Sequence, residues 1–121
     1  MELKTKLYLL DEDGEKFMGM GVYWLLEAVD HTSSLRKAAE SMDISYSKAY
    51  RMVNNLERVL GKEVIDRRKG GSDRQGATLT PFGRRFYQLY GEFQTEAKKM
   101  LNTPYEGFKK ELAALMEENN G

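Results

Sequence analysis

Apolar positions along the chain change their period several times, and each change marks a boundary. Leu3, Thr5, Leu7 and Leu9 alternate with Lys4, Lys6 and Tyr8. Asp13-Gly14 then supplies turn chemistry ahead of Lys16 to Met18, so the spacing predicts a small N-terminal β-hairpin. From residue 21 the period lengthens: Val22, Leu25, Leu26 and Val29 fall at i, i+3, i+4 and i+7, the signature of a helix face. That helix ends near His31, which is read as a polar cap. Ser34 is placed to cap a short second helix, LRKAAESM, where Ala38 and Ala39 allow another helix to come close. Asp43-Ile44-Ser45 breaks the run, and Ser45 caps a third helix reaching Leu60, with Gly61 at its C-terminal end.

On the third helix Ala49, Val53, Leu56 and Leu60 share one face, and Ser47, Lys48, Arg51, Asn54, Asn55 and Arg58 occupy the other. Residues 64–68 and 77–79 read as two strands around a polar, glycine-rich loop at 69–76, a hairpin with a basic tip. Thr80 as N-cap and Pro81 at the first helical position start a long helix to about Leu101. Along it Phe86, Tyr90, Phe93, Ala97 and Met100 recur with 4-3-4-3 spacing, the seam of a two-helix contact or of packing onto the chain's own domain. Thr103-Pro104-Tyr105-Glu106 has the form of a capping box opening a last helix, with Phe108, Leu112 and Leu115 on one side.

The order helix, helix, tight turn, helix, two-stranded hairpin predicts a mainly α fold with small β elements: a winged helix-turn-helix with an N-terminal hairpin and a long C-terminal dimerisation helix. Residues 1–80 form the expected DNA-binding domain and residues 81–121 the C-terminal helices that serve as its dimerisation element.

Charge sharpens this picture. The chain has 19 basic and 19 acidic residues and a net charge of zero. Residues 1–30 have three bases and seven acids (net −4), 31–87 twelve and six (+6), and 88–121 four and six (−2). A basic middle suits a surface that meets polyanions. The outer face of the third helix has cations but no acid, since Glu57, the helix's one carboxylate, points sideways. Solvent-facing helices ordinarily mix in glutamates.

A second helix of a helix-turn-helix has the width of the DNA major groove. Arg51 can fork onto guanine O6 and N7, Asn54 onto adenine N6 and N7, and Ser47 and Lys48 lie near the helix start, where base edges are reached. Tyr46 and Tyr50 can touch phosphate or a thymine methyl, and Tyr46, nearer the core side of the helix, can instead pack. Ser34, Arg36 and Ser45 complete the motif's expected DNA contacts. In the wing, Arg67, Arg68, Lys69 and Arg74 can neutralise phosphates, with Gln75 or Ser72 adding backbone hydrogen bonds.

The stretch SSLRKAAESMDISYSKAYRMVNNLE (33–57) resembles the helix-turn-helix of ModE-type molybdate-responsive regulators and, more distantly, of LysR-type regulators. RRKGG (67–71), Gly76-Ala77 and LTPFG (79–83) are similar to the ModE wing and the start of its linker helix. The resemblance covers about residues 3–100. It implies a homodimer that recognises a pseudo-palindromic operator in double-stranded DNA through the helix at 46–60 and touches phosphates with the wing: a sequence-specific transcriptional regulator. Full-length ModE regulators continue into oxyanion-binding domains, whereas this sequence ends at Gly121, so molybdate sensing is not carried over and no effector-binding domain is expected. Arg36 and Lys37 replace the small residues common at the family's second helix, adding cations near the DNA backbone.

Other chemistries find little support. With no cysteine and a single histidine, His31, there is no disulfide framework and no usual zinc set. No cofactor is expected. Gly61-Lys62 imitates a phosphate-loop ending, yet Glu63 stands where Ser or Thr is required and the pair follows a helix. Gly19-Met20-Gly21 runs on to Trp24, not to glycine, so no dinucleotide fingerprint forms. An enzyme is not expected. The N-terminus is neither a secretory signal nor a membrane span, and the expected location is the cytoplasm. A winged helix can also serve protein binding alone, but such a surface ordinarily exposes apolar anchors in place of an acid-free cationic face.

Overall fold

Side-chain caps at Ser34, Ser45 and Thr80 set where three helices of this protein begin. The computed structural model describes residues 1–67 and 76–120. Its elements, in order, are β1 (Leu9–Leu10), β2 (Lys16–Met18), α1 (Met20–Thr32), α2 (Leu35–Ser41), α3 (Tyr46–Leu60), β3 (Ile65–Asp66), β4 (Thr78–Leu79), α4 (Pro81–Met100) and α5 (Asn102–Asn120). They form two compact units, residues 6–91 and residues 1–5 with 92–121.

In the larger unit Asp11 closes the first turn. Its Oδ1 accepts from the amides of Asp13 and Glu15 at 2.9 and 3.0 Å. β1 and β2 pair antiparallel, Leu9 with Met18 and Leu10 with Lys16, around an irregularity between Leu9 and Leu10. The alternation over residues 3–10 thus yields only two strand residues, because β2 is three residues long before Gly19 leads into α1. α1 buries Val22, Leu25, Leu26 and Val29, the face that the spacing predicts. It ends on Ser33 in the left-handed conformation (φ 55°), whose amide returns to Val29 O; the cap is Ser33, and His31 is an exposed residue of the last turn.

Ser34 Oγ accepts the Lys37 amide at 3.1 Å and starts α2, and Ser45 Oγ accepts the Lys48 amide at 3.0 Å and starts α3. Each satisfies an amide that the first helical turn leaves unpaired. Between them Met42, Asp43 and Ile44 return their amides to Ala39 and Glu40, and Asp43 takes φ 58°, so the turn of the helix-turn-helix is closed by backbone. Gly61 (φ 68°) terminates α3, a conformation in which a Cβ is strained. Ala38, Ala39, Ala49, Val53 and Leu56 meet the α1 residues in a core that also takes Met18, Val64, Ile65, Ala77 and Leu79.

β3 and β4 pair antiparallel, Ile65 with Leu79 and Asp66 with Thr78; of the strand pattern expected at 64–68, Arg68 lies outside the described residues. The return side is also fastened to the helices: Gly76 bridges Ser34, and the Ala77 amide donates to Ser33 O at 3.1 Å. Thr80 then does two jobs. Its hydroxyl donates to Glu63 O at 2.7 Å and accepts the Gly83 amide at 2.9 Å, so one side chain ties the wing root to the first turn of α4. Gly83 lies so near that a Cβ there would stand 2.1 Å from Val64 O. Further along, Tyr90 is buried, its hydroxyl donating to Leu7 O at 3.0 Å, and Tyr23 lies beside both Tyr87 and Tyr90.

In the smaller unit α5 opens on backbone alone. The Tyr105 amide donates to Leu101 O at 3.0 Å, so Thr103 is inside the helix and not its cap, and Pro104 occupies the first turn, where its missing N–H costs nothing. Lys109 Nζ pairs with Glu106 at 2.9 Å and lies over the Tyr105 ring. Among the described residues no helix is long and apolar enough to cross a membrane.

Gly83→Ala is expected to destabilise the fold by about 1–3 kcal/mol, because the added methyl meets backbone that no rotamer change can move; urea unfolding measures it. A second expectation concerns Tyr87. Burial, then the Asp30 carboxylate that accepts its hydroxyl at 3.3 Å, holds the phenol above its ordinary value of 10.0. A raised folded-state value means that the contribution is complete below the unfolded phenol's value and is lost as pH rises through the folded one. Tyr87→Phe should therefore flatten the fall in melting temperature above pH 10.

Candidate nucleic-acid interface

α3 has one face to spare because the other is consumed by the core, where Ala49, Val53 and Leu56 are fully buried. The first turn carries no acid, so nothing offsets the partial positive charge of its amides. Ser45, Ser47, Lys48, Tyr50, Arg51 and Asn54 are exposed along the outer face. Among the described residues Lys48 and Arg51 make no ion pair or side-chain hydrogen bond.

The outer face is divided by its neighbours. Toward the N-terminal hairpin, Asn55 Nδ2 donates to Lys16 O at 3.4 Å, and Arg58 bonds Asn55 Oδ1 and lies 3.7 Å from Asp11. Those two residues brace β1 and β2. Toward the wing, a row of alternating character crosses the motif: Arg36 of α2 lies over the Tyr46 ring at 5.1 Å, Tyr46 and Tyr50 rings are 6.1 Å apart, and Arg67 lies over Tyr50 at 5.2 Å. Guanidinium groups attract the negative faces of aromatic rings. Tyr46 is half-buried against the core, the packing position open to it from the helix pattern, while Tyr50 is exposed.

Arg67, expected on phosphate, rests on α3 and remains exposed. Besides Tyr50, it donates to Asn54 Oδ1 at 3.2 Å and lies 3.7 Å from Glu57 Oε1. The reason is Glu57, which sequence reasoning passed over as merely pointing sideways. Its other oxygen, Oε2, accepts the amides of Val64 and Ile65 at 2.8 and 3.2 Å, bringing the start of β3, and with it Arg67, onto the helix. A lone acid on an otherwise acid-free helix was the available signal. Ser34, expected as a DNA contact, is 3% exposed, with its hydroxyl engaged in the α2 cap. Arg68, Lys69, Arg74 and Gln75 lie outside the described residues.

Of the helix seam, Phe86 packs against the core and Tyr90 is 4% exposed, so these two serve the chain's own domain. Phe93 and Met100 are exposed and Ala97 half-exposed.

Residues 24–84 match the model of the bacterial regulatory helix-turn-helix proteins of the lysR family. The transcriptional regulator ModE of Yersinia pestis is 33% identical over 79 residues, 65% of this chain and 30% of that protein. The molybdenum-pterin-binding protein MopB of Rhodobacter capsulatus is 31% identical over 95 residues, 78% of this chain and 35% of that one. The chain therefore spans about a third of the length of these relatives. Among solved structures, the BenM DBD in its complex with benA site 1 DNA superposes with a TM-score of 0.55 at 27% identity, covering 74% of this chain and 94% of that one. With its two capped helices, backbone-closed turn and wing root falling inside the matched span, the chain belongs to the lysR family of bacterial regulatory helix-turn-helix proteins.

Proposed function

We propose that this protein is a sequence-specific, double-stranded-DNA-binding transcriptional regulator that acts in the cytoplasm as a homodimer on a pseudo-palindromic site. The observation that carries the reading is the outer face of α3, where Lys48 and Arg51 stand exposed, without an acid beside them and without an ion pair among the described residues. In this reading α3 enters the major groove. Arg51 forks onto guanine, Ser47, Lys48 and Asn54 reach neighbouring edges, and Tyr50, Arg36 and the wing cations Arg68, Lys69 and Arg74 lie along the phosphates. The DNA complex of the BenM DBD and the regulators named ModE support it as relatives.

Residues 1–80 are assigned to DNA recognition and 81–121 to dimerisation. Phe86 and Tyr90 pack within the chain's own domain, and the dimer contact is assigned to Phe93, Ala97 and Met100, of which Met100 is 71% exposed. Two copies present their α3 helices about 34 Å apart, one turn of duplex. The relatives are named for regulation and binding, and catalysis forms no part of the proposal.

Affinity for random duplex should fall linearly in the logarithm of salt concentration. Arg51→Ala is expected to cost about 1–3 kcal/mol on a site selected from random duplex and to relax one base pair; an equal loss on random DNA would remove Arg51 from base reading. Met100→Glu should shift the sedimentation mass from dimer to monomer at micromolar concentration, while an unaltered mass would place the interface elsewhere.

A further inference from the structure

We infer that Arg67 is a positioning residue that sets which base Asn54 reads, turning it from an adenine reader into a guanine reader. The inference rests on the DNA-binding reading above and adds a specificity to it. A guanidinium has donors only, so the amide atom of Asn54 that faces Arg67 must be the oxygen, whichever way the group is first drawn. The contact is 3.2 Å.

Arg67 is held there by two further contacts, over the Tyr50 ring at 5.2 Å and toward Glu57 Oε1 at 3.7 Å. Tyr50 and Glu57 stand four residues before and three after Asn54, on the same ridge of α3. The guanidinium therefore lies along the helix surface, and Oδ1 is turned along that surface toward it. With one lone pair of Oδ1 engaged and a cation set beside it, Nδ2 with its two hydrogens is the stronger partner that the amide offers a base. Paired reading of adenine needs an acceptor for N6 and a donor for N7 side by side, whereas guanine presents two acceptors, N7 and O6. An asparagine whose oxygen is already engaged fits the second pattern.

The neighbouring base-reader candidates do not share this arrangement. Arg51, one turn before, has no side-chain partner among the described residues, and Lys48 has none either. Asn54 is the base-reading candidate whose hydrogen-bonding character is altered by a residue from outside its own helix.

Selection of preferred sites from random duplex tests this with the wild-type chain, Asn54→Ala and Arg67→Met. Asn54→Ala identifies the base pair by relaxing it. At that pair the wild type is expected to prefer guanine over adenine by roughly ten-fold, and Arg67→Met, checked for folding by its melting curve, to reverse the preference toward adenine with the rest of the site unchanged. A wild-type preference at that pair for any base other than guanine, or a guanine preference that survives in folded Arg67→Met, overturns the inference. So does an Asn54→Ala chain that relaxes no pair. Should Arg67→Met not fold, the wild-type preference at the identified pair decides alone. Failure of the wild type to bind any duplex removes the underlying reading and this inference together, while retained selective binding with adenine at that pair removes this inference only.

Discussion

One carboxylate joins α3 to the hairpin beside it. Glu57 Oε2 accepts the amides of Val64 and Ile65, and Oε1 faces Arg67. Those amides begin a strand only two residues long, too short to satisfy itself through its ladder. A buried amide without an acceptor costs more than a hydrogen bond returns. The acid on α3 is thus a structural requirement of the wing root, and its charge is spent inward instead of lowering the potential of the outer face. Removing it would release β3 and the guanidinium together.

The neutrality of the whole chain has a physical counterpart in how its charges are matched. Asp30 receives Arg84 at 2.7 Å, Asp11 receives Arg58, and Glu106 receives Lys109. These exposed or half-exposed pairs contribute little to stability, typically under about 1 kcal/mol each. Their effect lies in distribution: Arg58, Arg84 and Lys109 are each answered by a nearby carboxylate, and Lys48 and Arg51 have no ion pair among the described residues.

The helices were legible because their causes are local. The spacing of Val22, Leu25, Leu26 and Val29 specifies the buried face of α1, and Ser34, Ser45, Thr80 and Gly61 cap where serine, threonine and glycine should. The first strand was read too long, since how far a strand extends depends on its partner's length. The short reach of β2 cut off the alternating residues 3–8. The exposed cationic side of α3 was legible as a pattern. That Arg36 and Arg67 would complete the row was not, because those contacts join segments brought together only by the folded core. The same holds for Thr103, where a correct capping sequence lost to a helix already begun from Leu101 O.

At Gly83 the first turn of α4 rests directly on the backbone of Val64, with no side chain between them. A contact between two main chains has no rotamers through which to yield. The distance between β3 and the start of α4 is consequently set there by two backbones alone, and a side chain at position 83 would force one of them to shift.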